Sequence, residues 1–201
     1  MTLRIMLDLE TMSTAANAAI VQIGACANDG RDDFSIRVRL ASSVKAGLSI
    51  DPYTVEWWLT QSDAARTSVF GAKAVEDRRS LEFALHSFAN WLGTHHNNDG
   101  TLGAQPVECE LWALPAQFDV TILGEAYRAL NMTPPWHYRA PRCLRTLTSL
   151  FPDVPRIKSE LEHDALADAK AQMQYLEALL ARLPASTVAA NVRDGLLPST
   201  Q

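Results

Sequence analysis

Leu3-Arg4-Ile5-Met6-Leu7-Asp8-Leu9-Glu10-Thr11 decides how the rest of the chain is read. An apolar run leaves the N-terminus and ends in two carboxylates one residue apart. Such a run reads as a buried strand. Side chains along a strand point alternately to opposite faces, so Asp8 and Glu10 stand on the same side near its end. Two acids held together repel each other unless a cation lies between them, and hard divalent cations such as Mg²⁺ take oxygen ligands. Asp8 and Glu10 are therefore candidate metal ligands. Asp-x-Glu is also a tripeptide that chance supplies readily, so the reading needs further acids from elsewhere in the chain.

Outward from that strand, composition sets the frame. A chain of 201 residues suits one domain with a real apolar core. Charged residues at 20% and hydrophobic ones at 47% are ordinary for a globular protein. No apolar run reaches the length of a membrane span, so no membrane association is expected. One early Arg without a small-residue cleavage site gives no expectation of a signal peptide. Cys26, Cys109 and Cys143 lie far apart in no ligand spacing, which suits a reducing cytoplasm and small buried hydrophobes. A net charge of −5 argues against nonspecific duplex binding but is compatible with a cluster of catalytic acids offset by metal.

After Glu10 comes a polar loop through Ala18, then a second strand, Ala19 to Ala27. Asn28-Asp29-Gly30 signals a turn, and Phe34 to Leu40 alternates as a third strand. The hairpin makes the sheet mixed. Asp51-Pro52 opens a helix to about Leu59, with Asp51 as cap and Pro52 at the first helical position. A further helix is expected near 63–70. Leu81, Ala84, Leu85, Phe88, Ala89 and Leu92 mark another, ending at Gly93 before a polar loop from His95 to Gly103. His95-His96 read as solvated loop residues rather than ligands. Of Trp57 and Trp58, one belongs to the core; the other covers an apolar seam or stacks on a base.

Val107 to Ala113 reads as a fourth strand leading into Asp119 near the start of an amphipathic helix. Ligands of open α/β sheets bind outside the strand ends, yet an Asp there also suits the first turn of a helix. Trp136-His137-Tyr138 is expected as a short fifth strand, and 143–151 as a short helix. Arg139, Arg142, Arg145, Arg156 and Lys158 form the most basic stretch, either solvated surface or phosphate contacts. The last long helix carries Leu166, Ala169, Met173, Leu176, Leu180 and Leu183 as its stripe. Asp164 is its expected N-cap, Asp168 lies off the stripe, and His163 precedes it.

These acids carry a resemblance. Asp8-Leu9-Glu10-Thr11, Phe118-Asp119 and His163-Asp164-Ala165-Leu166-Ala167-Asp168 resemble, in order and spacing, the three motifs of the DEDDh 3′–5′ exonucleases, which have an RNase H-like (DnaQ-like) fold. His-x-x-x-x-Asp opening a helix is what separates DEDDh from DEDDy members. Ile50 to Leu59 and Cys143 to Leu147 are similar to the small exoribonuclease-like and phage DexA-like branch. The resemblance implies an α/β fold with a mixed five-stranded sheet flanked by helices. It covers residues 3 to about 183, so one exonuclease domain is expected over 1–183, with 184–201 as a tail, partly helical or flexible.

The activity so implied is metal-dependent 3′–5′ hydrolysis of RNA or DNA to nucleoside 5′-monophosphates with two Mg²⁺ or Mn²⁺. Asp8, Glu10 and Asp168 would hold the metal carrying the nucleophilic water. Asp8 would bridge to the second, which Asp119 holds through water. His163 would be the general base. Leu9, Thr11 and Met12 would wall the 3′-terminal nucleotide beside Phe118, a packing or loop role being the alternative. Many members have Asn where Pro115 stands, so Gln117 is the candidate replacement contact to the sugar. Single-stranded or 3′-overhang nucleic acid is the expected partner, and a homodimer is compatible with the relatives. A catalytically silent binding module of the same fold is the alternative. A dehydrogenase is disfavoured, since no Gly-x-Gly-x-x-Gly follows a strand.

Overall fold

Alternation along β1 (Arg4–Thr11) divides the molecule into two layers. In the computed structural model, which describes residues 2–96 and 106–184, Ile5, Leu7 and Leu9 enter the larger core while Met6 joins a second, smaller one. Asp8 and Glu10 have the parity of Met6, so they lie on the face of the smaller core.

β1 pairs antiparallel with β2 (Ile20–Ala27), which pairs antiparallel with β3 (Phe34–Arg37). On its other edge β1 pairs in parallel with β4 (Glu110–Ala113), and β4 with β5 (Pro141–Cys143). The five-stranded mixed sheet has the order β3-β2-β1-β4-β5. β3 is shorter than its alternation suggests: Val38 is already buried in a single bridge to Arg79, and a helix, α1 (Leu40–Lys45), follows at once.

The fifth strand is not where the aromatic run placed it. Trp136 makes only an isolated bridge to Val107. Its ring is buried edge-to-face against Tyr127 and Phe88 instead. The strand forms five residues later, and Pro141 is tolerated because it opens an edge strand.

Five helices follow the sequence reading: α2 (Pro52–Thr60), α3 (Asp63–Phe70), α6 (Ala116–Ala129), α7 (Leu144–Thr148) and α8 (Ala165–Leu180). Asp51 caps α2 by accepting from the Tyr53 N–H, as its position implied. The sequence gives no sign of α4 (Ala72–Glu76). α5 (Leu81–His96) runs past Gly93, where it was expected to stop. Its last carbonyls are held by the Arg31 guanidinium, and His95 is buried against the Asp29 carboxylate at 2.8 Å. His95 is therefore neither a solvated loop residue nor a free ligand. The expected loop from 97 and the tail from 185 lie outside the described residues. α5 and α6 cover the larger core with Leu81, Leu85, Phe88, Leu92, Leu123 and Tyr127. Among the described residues no helix is long and apolar enough to cross a membrane.

α8 covers the opposite face, across β1 and β2. Its stripe begins at Ala165, fully buried, rather than at half-buried Leu166. Gly24 explains the shift. It pairs with Asp8 in the sheet, and a Cβ on it would lie 2.2 Å from the Ala165 carbonyl carbon. Only a strand position without a side chain lets the first turn of α8 descend this far onto the sheet.

Candidate active site

The site is assembled at the point where β1 ends beneath the N-terminus of α8. Asp8 and Glu10 come from β1, Asp119 from the first turn of α6, and Asp168 from the first turn of α8. Asp119 does not cap its own helix. Its Oδ1 accepts from the Leu9 N–H at 3.1 Å, which ties α6 to the centre of the Asp8–Glu10 pair. Asp164 caps α8 through the Ala167 N–H, as expected, and is held by Gln22 and Ser68 from below. Burial alone would raise its carboxyl, but these bonds and the nearby Arg37 outweigh it and keep Asp164 below the ordinary value.

His163 precedes α8 with φ of 64°, a left-handed conformation uncommon for a residue with a side chain. Its N–H donates to Asp168 Oδ2 at 3.0 Å. Its ring packs edge-to-face on Trp57, centroids 4.9 Å apart, and on Trp58 at 6.0 Å. Trp58 is the core member of the pair and donates to the Thr11 carbonyl; Trp57 is half-exposed. The two indoles thus form a wall that sets the imidazole, a role the sequence did not suggest. Glu10, His163 and Asp168 each offer a ligand atom within 4.8 Å of the others.

The electrostatics are those of anions lacking a counter-charge. Burial, then Asp119, Glu10 and Asp168 in turn, push the Asp8 carboxyl well above its usual range. Burial and then Asp168 do the same to Glu10. Asp119 is pushed up to about 7, chiefly by burial. Asp168 is also raised by burial, although Ser159, the His163 N–H and the nearby Arg156 act the other way. Among the described residues no ion pair involves any of these four acids. A cluster of carboxylates with one imidazole at its edge fits hard divalent cations, which replace water's oxygens with carboxylate oxygens. The residues present therefore fit the metal that the motifs imply.

Two cavities flank the acids. One, of about 470 Å³, is lined by Leu9, Glu10, Thr11, Tyr53, Trp57 and Phe118 among others. The second, of about 300 Å³, is lined by Arg156, Lys158, His163, Asp168 and Gln172. Of the expected nucleotide wall, Leu9, Thr11 and Phe118 border the first cavity. Met12 does not: its side chain is buried in the large core, and its carbonyl accepts from the Asp51 N–H. Gln117 is also elsewhere, exposed and accepting from the Cys143 thiol at 3.4 Å. Sequence reasoning missed Gly24, although a glycine inside a strand signals close backbone approach. It also missed Gln172, whose amide donates to Asp8 Oδ1 at 2.7 Å and which no local pattern distinguishes from a surface helix residue.

No match was found among curated proteins. Among solved structures, the nuclease domain of 3′hExo, a DEDDh family member bound to rAMP, superposes with a TM-score of 0.61. At 11% identity over 90% of this chain and 92% of that one, the likeness is one of fold. Cell-death related nuclease 4 (CRN-4) gives a TM-score of 0.46 at 14% identity, over 90% of this chain and 64% of that one. The sequence itself matches the profile of the 3′-5′ exoribonuclease Rv2179c-like domain over residues 3–180. The chain belongs to that family, and it is a 3′–5′ exonuclease.

Proposed function

We propose that this exonuclease removes nucleotides from the 3′ end of single-stranded RNA, using two Mg²⁺ or Mn²⁺ ions held by Asp8, Glu10, Asp119 and Asp168. The observation that carries the reading is the set of buried and half-buried, mutually repelling carboxylates, none of them in an ion pair among the described residues, beside an imidazole held by aromatic rings. The family description favours RNA over DNA, and the 3′hExo structure with rAMP is in keeping with it. The three unpaired cysteines suit the reducing cytoplasm.

When bound, such ions lower the pKa of water and offset the charge of the scissile phosphate and leaving oxygen. The rest falls to the chain. Phe118, Leu9 and Tyr53 receive the terminal base in the aromatic cavity, and Arg156 and Lys158 meet backbone phosphate on the other side. A ring nitrogen of His163 takes the proton of the attacking water. The water oxygen bonds to phosphorus, the bond to the preceding 3′ oxygen breaks, and solvent protonates that oxygen. The terminal nucleotide leaves as a 5′-monophosphate. Trp57 and Trp58 keep the imidazole from turning away and exclude water from one side of it.

A digestion course on 5′-labelled RNA and DNA of one sequence, with Mn²⁺ or with chelator, tests this. RNA is expected to shorten as a ladder from its 3′ end, faster than DNA, and only with metal. His163→Asn, whose short amide tolerates the left-handed backbone, is expected to fold and to lose about 10²–10⁴ in rate. Wild-type rates from that variant would remove His163 from the mechanism. Faster DNA cleavage would overturn the substrate assignment.

A further inference from the structure

Three of the four acids have one oxygen fixed by an N–H donor. Asp119 Oδ1 accepts from the Leu9 backbone, Asp168 Oδ2 from the His163 backbone, and Asp8 Oδ1 from the Gln172 side chain at 2.7 Å. In each case one carboxylate oxygen is tied back by a donor. Two of the donors are main chain and come with the fold. The third is an amide that the fold does not require.

We propose that Gln172 is a positioning residue that sets Asp8 for metal binding. The inference rests on the proposed metal site. Gln172 lies four residues after Asp168 on α8, so both side chains project from the same face of the helix onto β1. Among the described residues the Gln172 amide is the hydrogen-bond donor that reaches the Asp8 carboxylate, so it alone fixes that side chain where three other acids crowd it. Without that bond, the Asp8 carboxylate is free to rotate away from its neighbours, which removes a ligand oxygen. The other half of the amide points to the same role. Gln172 is buried, and its Oε1 has no hydrogen-bond partner among the described residues. An orphaned carbonyl in the interior opposes folding, and an apolar side chain of the same length would avoid it. Outer contacts that orient a metal ligand are where such an expense is expected.

Calorimetric titration of the metal-free protein with Mn²⁺ tests the assignment without reference to turnover. Gln172→Met keeps the length and helix preference of the side chain and removes the donor. Its Mn²⁺ affinity is expected to fall about tenfold or more. Raising Mn²⁺ should then restore the cleavage rate, with the KM for oligonucleotide unchanged. Gln172→Asn keeps an amide one methylene too short for Asp8, and should behave alike; if the Met variant fails to fold, the Asn variant decides by the same criterion. A residue that merely fills space would be replaced by Met without loss, so Mn²⁺ affinity within twofold of wild type overturns the proposal. Asp8→Ala provides the reference for a lost ligand. Wild-type protein that binds no Mn²⁺ would overturn the metal site itself and this inference with it. Binding by wild type and Gln172→Met alike would overturn this inference alone.

Discussion

On one face of β1, Ile5 and Leu7 are fully buried in the large core, and Leu9 closes that core at the edge of the cavity. On the other, Met6 packs under α8, and the next two residues of that face are Asp8 and Glu10. The same eight-residue strand thus carries two kinds of interior. Burial of the first face is favourable by itself, at about 25 cal/mol per Å² of apolar surface. Burial of the second is unfavourable until something neutralises it, as the raised Asp8, Glu10 and Asp119 carboxyls record. The large core makes the small, charged face tolerable, and the charged face is where we propose that catalysis takes place.

Substitutions that separate the two faces should separate stability from activity. Asp8→Asn is nearly isosteric and can still accept from Gln172. It should lower cleavage by about 10³-fold or more, read from single-turnover digestion, because a metal ligand is lost. Leu7→Ala, one residue earlier and fully buried, should do the reverse. It should destabilise by about 2–5 kcal/mol in urea unfolding, while the remaining folded fraction cleaves at close to the normal rate.

Gly24→Ala joins the two effects, since the added methyl must push the backbone of α8 off the sheet. A stability loss of about 1–3 kcal/mol is expected. A rate loss of about 10²-fold should accompany it, because Asp168 and His163 move with the helix. Normal cleavage from a destabilised Gly24→Ala would show that α8 need not lie so close.

The smallest expected effect is that of pH on the metal-free protein. Asp8, Glu10, Asp119 and Asp168 have folded pKa values above their unfolded ones. Their contribution to stability is therefore complete below the ordinary carboxylate range and is lost as pH rises, through about 7 in the case of Asp119. Asp29 and Asp164 are lowered, so their contribution is lost only on acidification. The melting temperature should fall between pH 5 and pH 8, and saturating Mn²⁺ should flatten the trend. A melting temperature that rises over that interval would contradict the carboxyl assignments.

What the sequence disclosed depended on how local the signal was. The strand ending in Asp8 and Glu10, the α5 stripe, the Asp51 and Asp164 caps and the His163–Asp168 spacing are encoded within a few residues, and the structure places them as read. The mixed sheet and its five strands were legible as well, but the fifth was misplaced. Trp136-His137-Tyr138 has strand-like composition, and only tertiary packing against Tyr127 and Phe88 shows that Trp136 serves the core. His95 was misread for a similar reason: its partner Asp29 is 66 residues away. Gln172 reaches across 164 residues to Asp8, and no pattern within one helix records such a contact. Met12 follows the motif in sequence, yet the chain turns it inward while Thr11 and Leu9 stay at the cavity.

The most direct test of the charged face is thermal unfolding of metal-free wild type and Asp8→Asn at pH 8, each with and without Mn²⁺. If the acids repel one another until metal binds, Asp8→Asn melts at or above the wild-type temperature without metal, and Mn²⁺ raises the wild type far more than the variant. If instead Asp8→Asn melts well below wild type and Mn²⁺ moves neither, Asp8 is an ordinary structural carboxylate and the metal-site account is wrong.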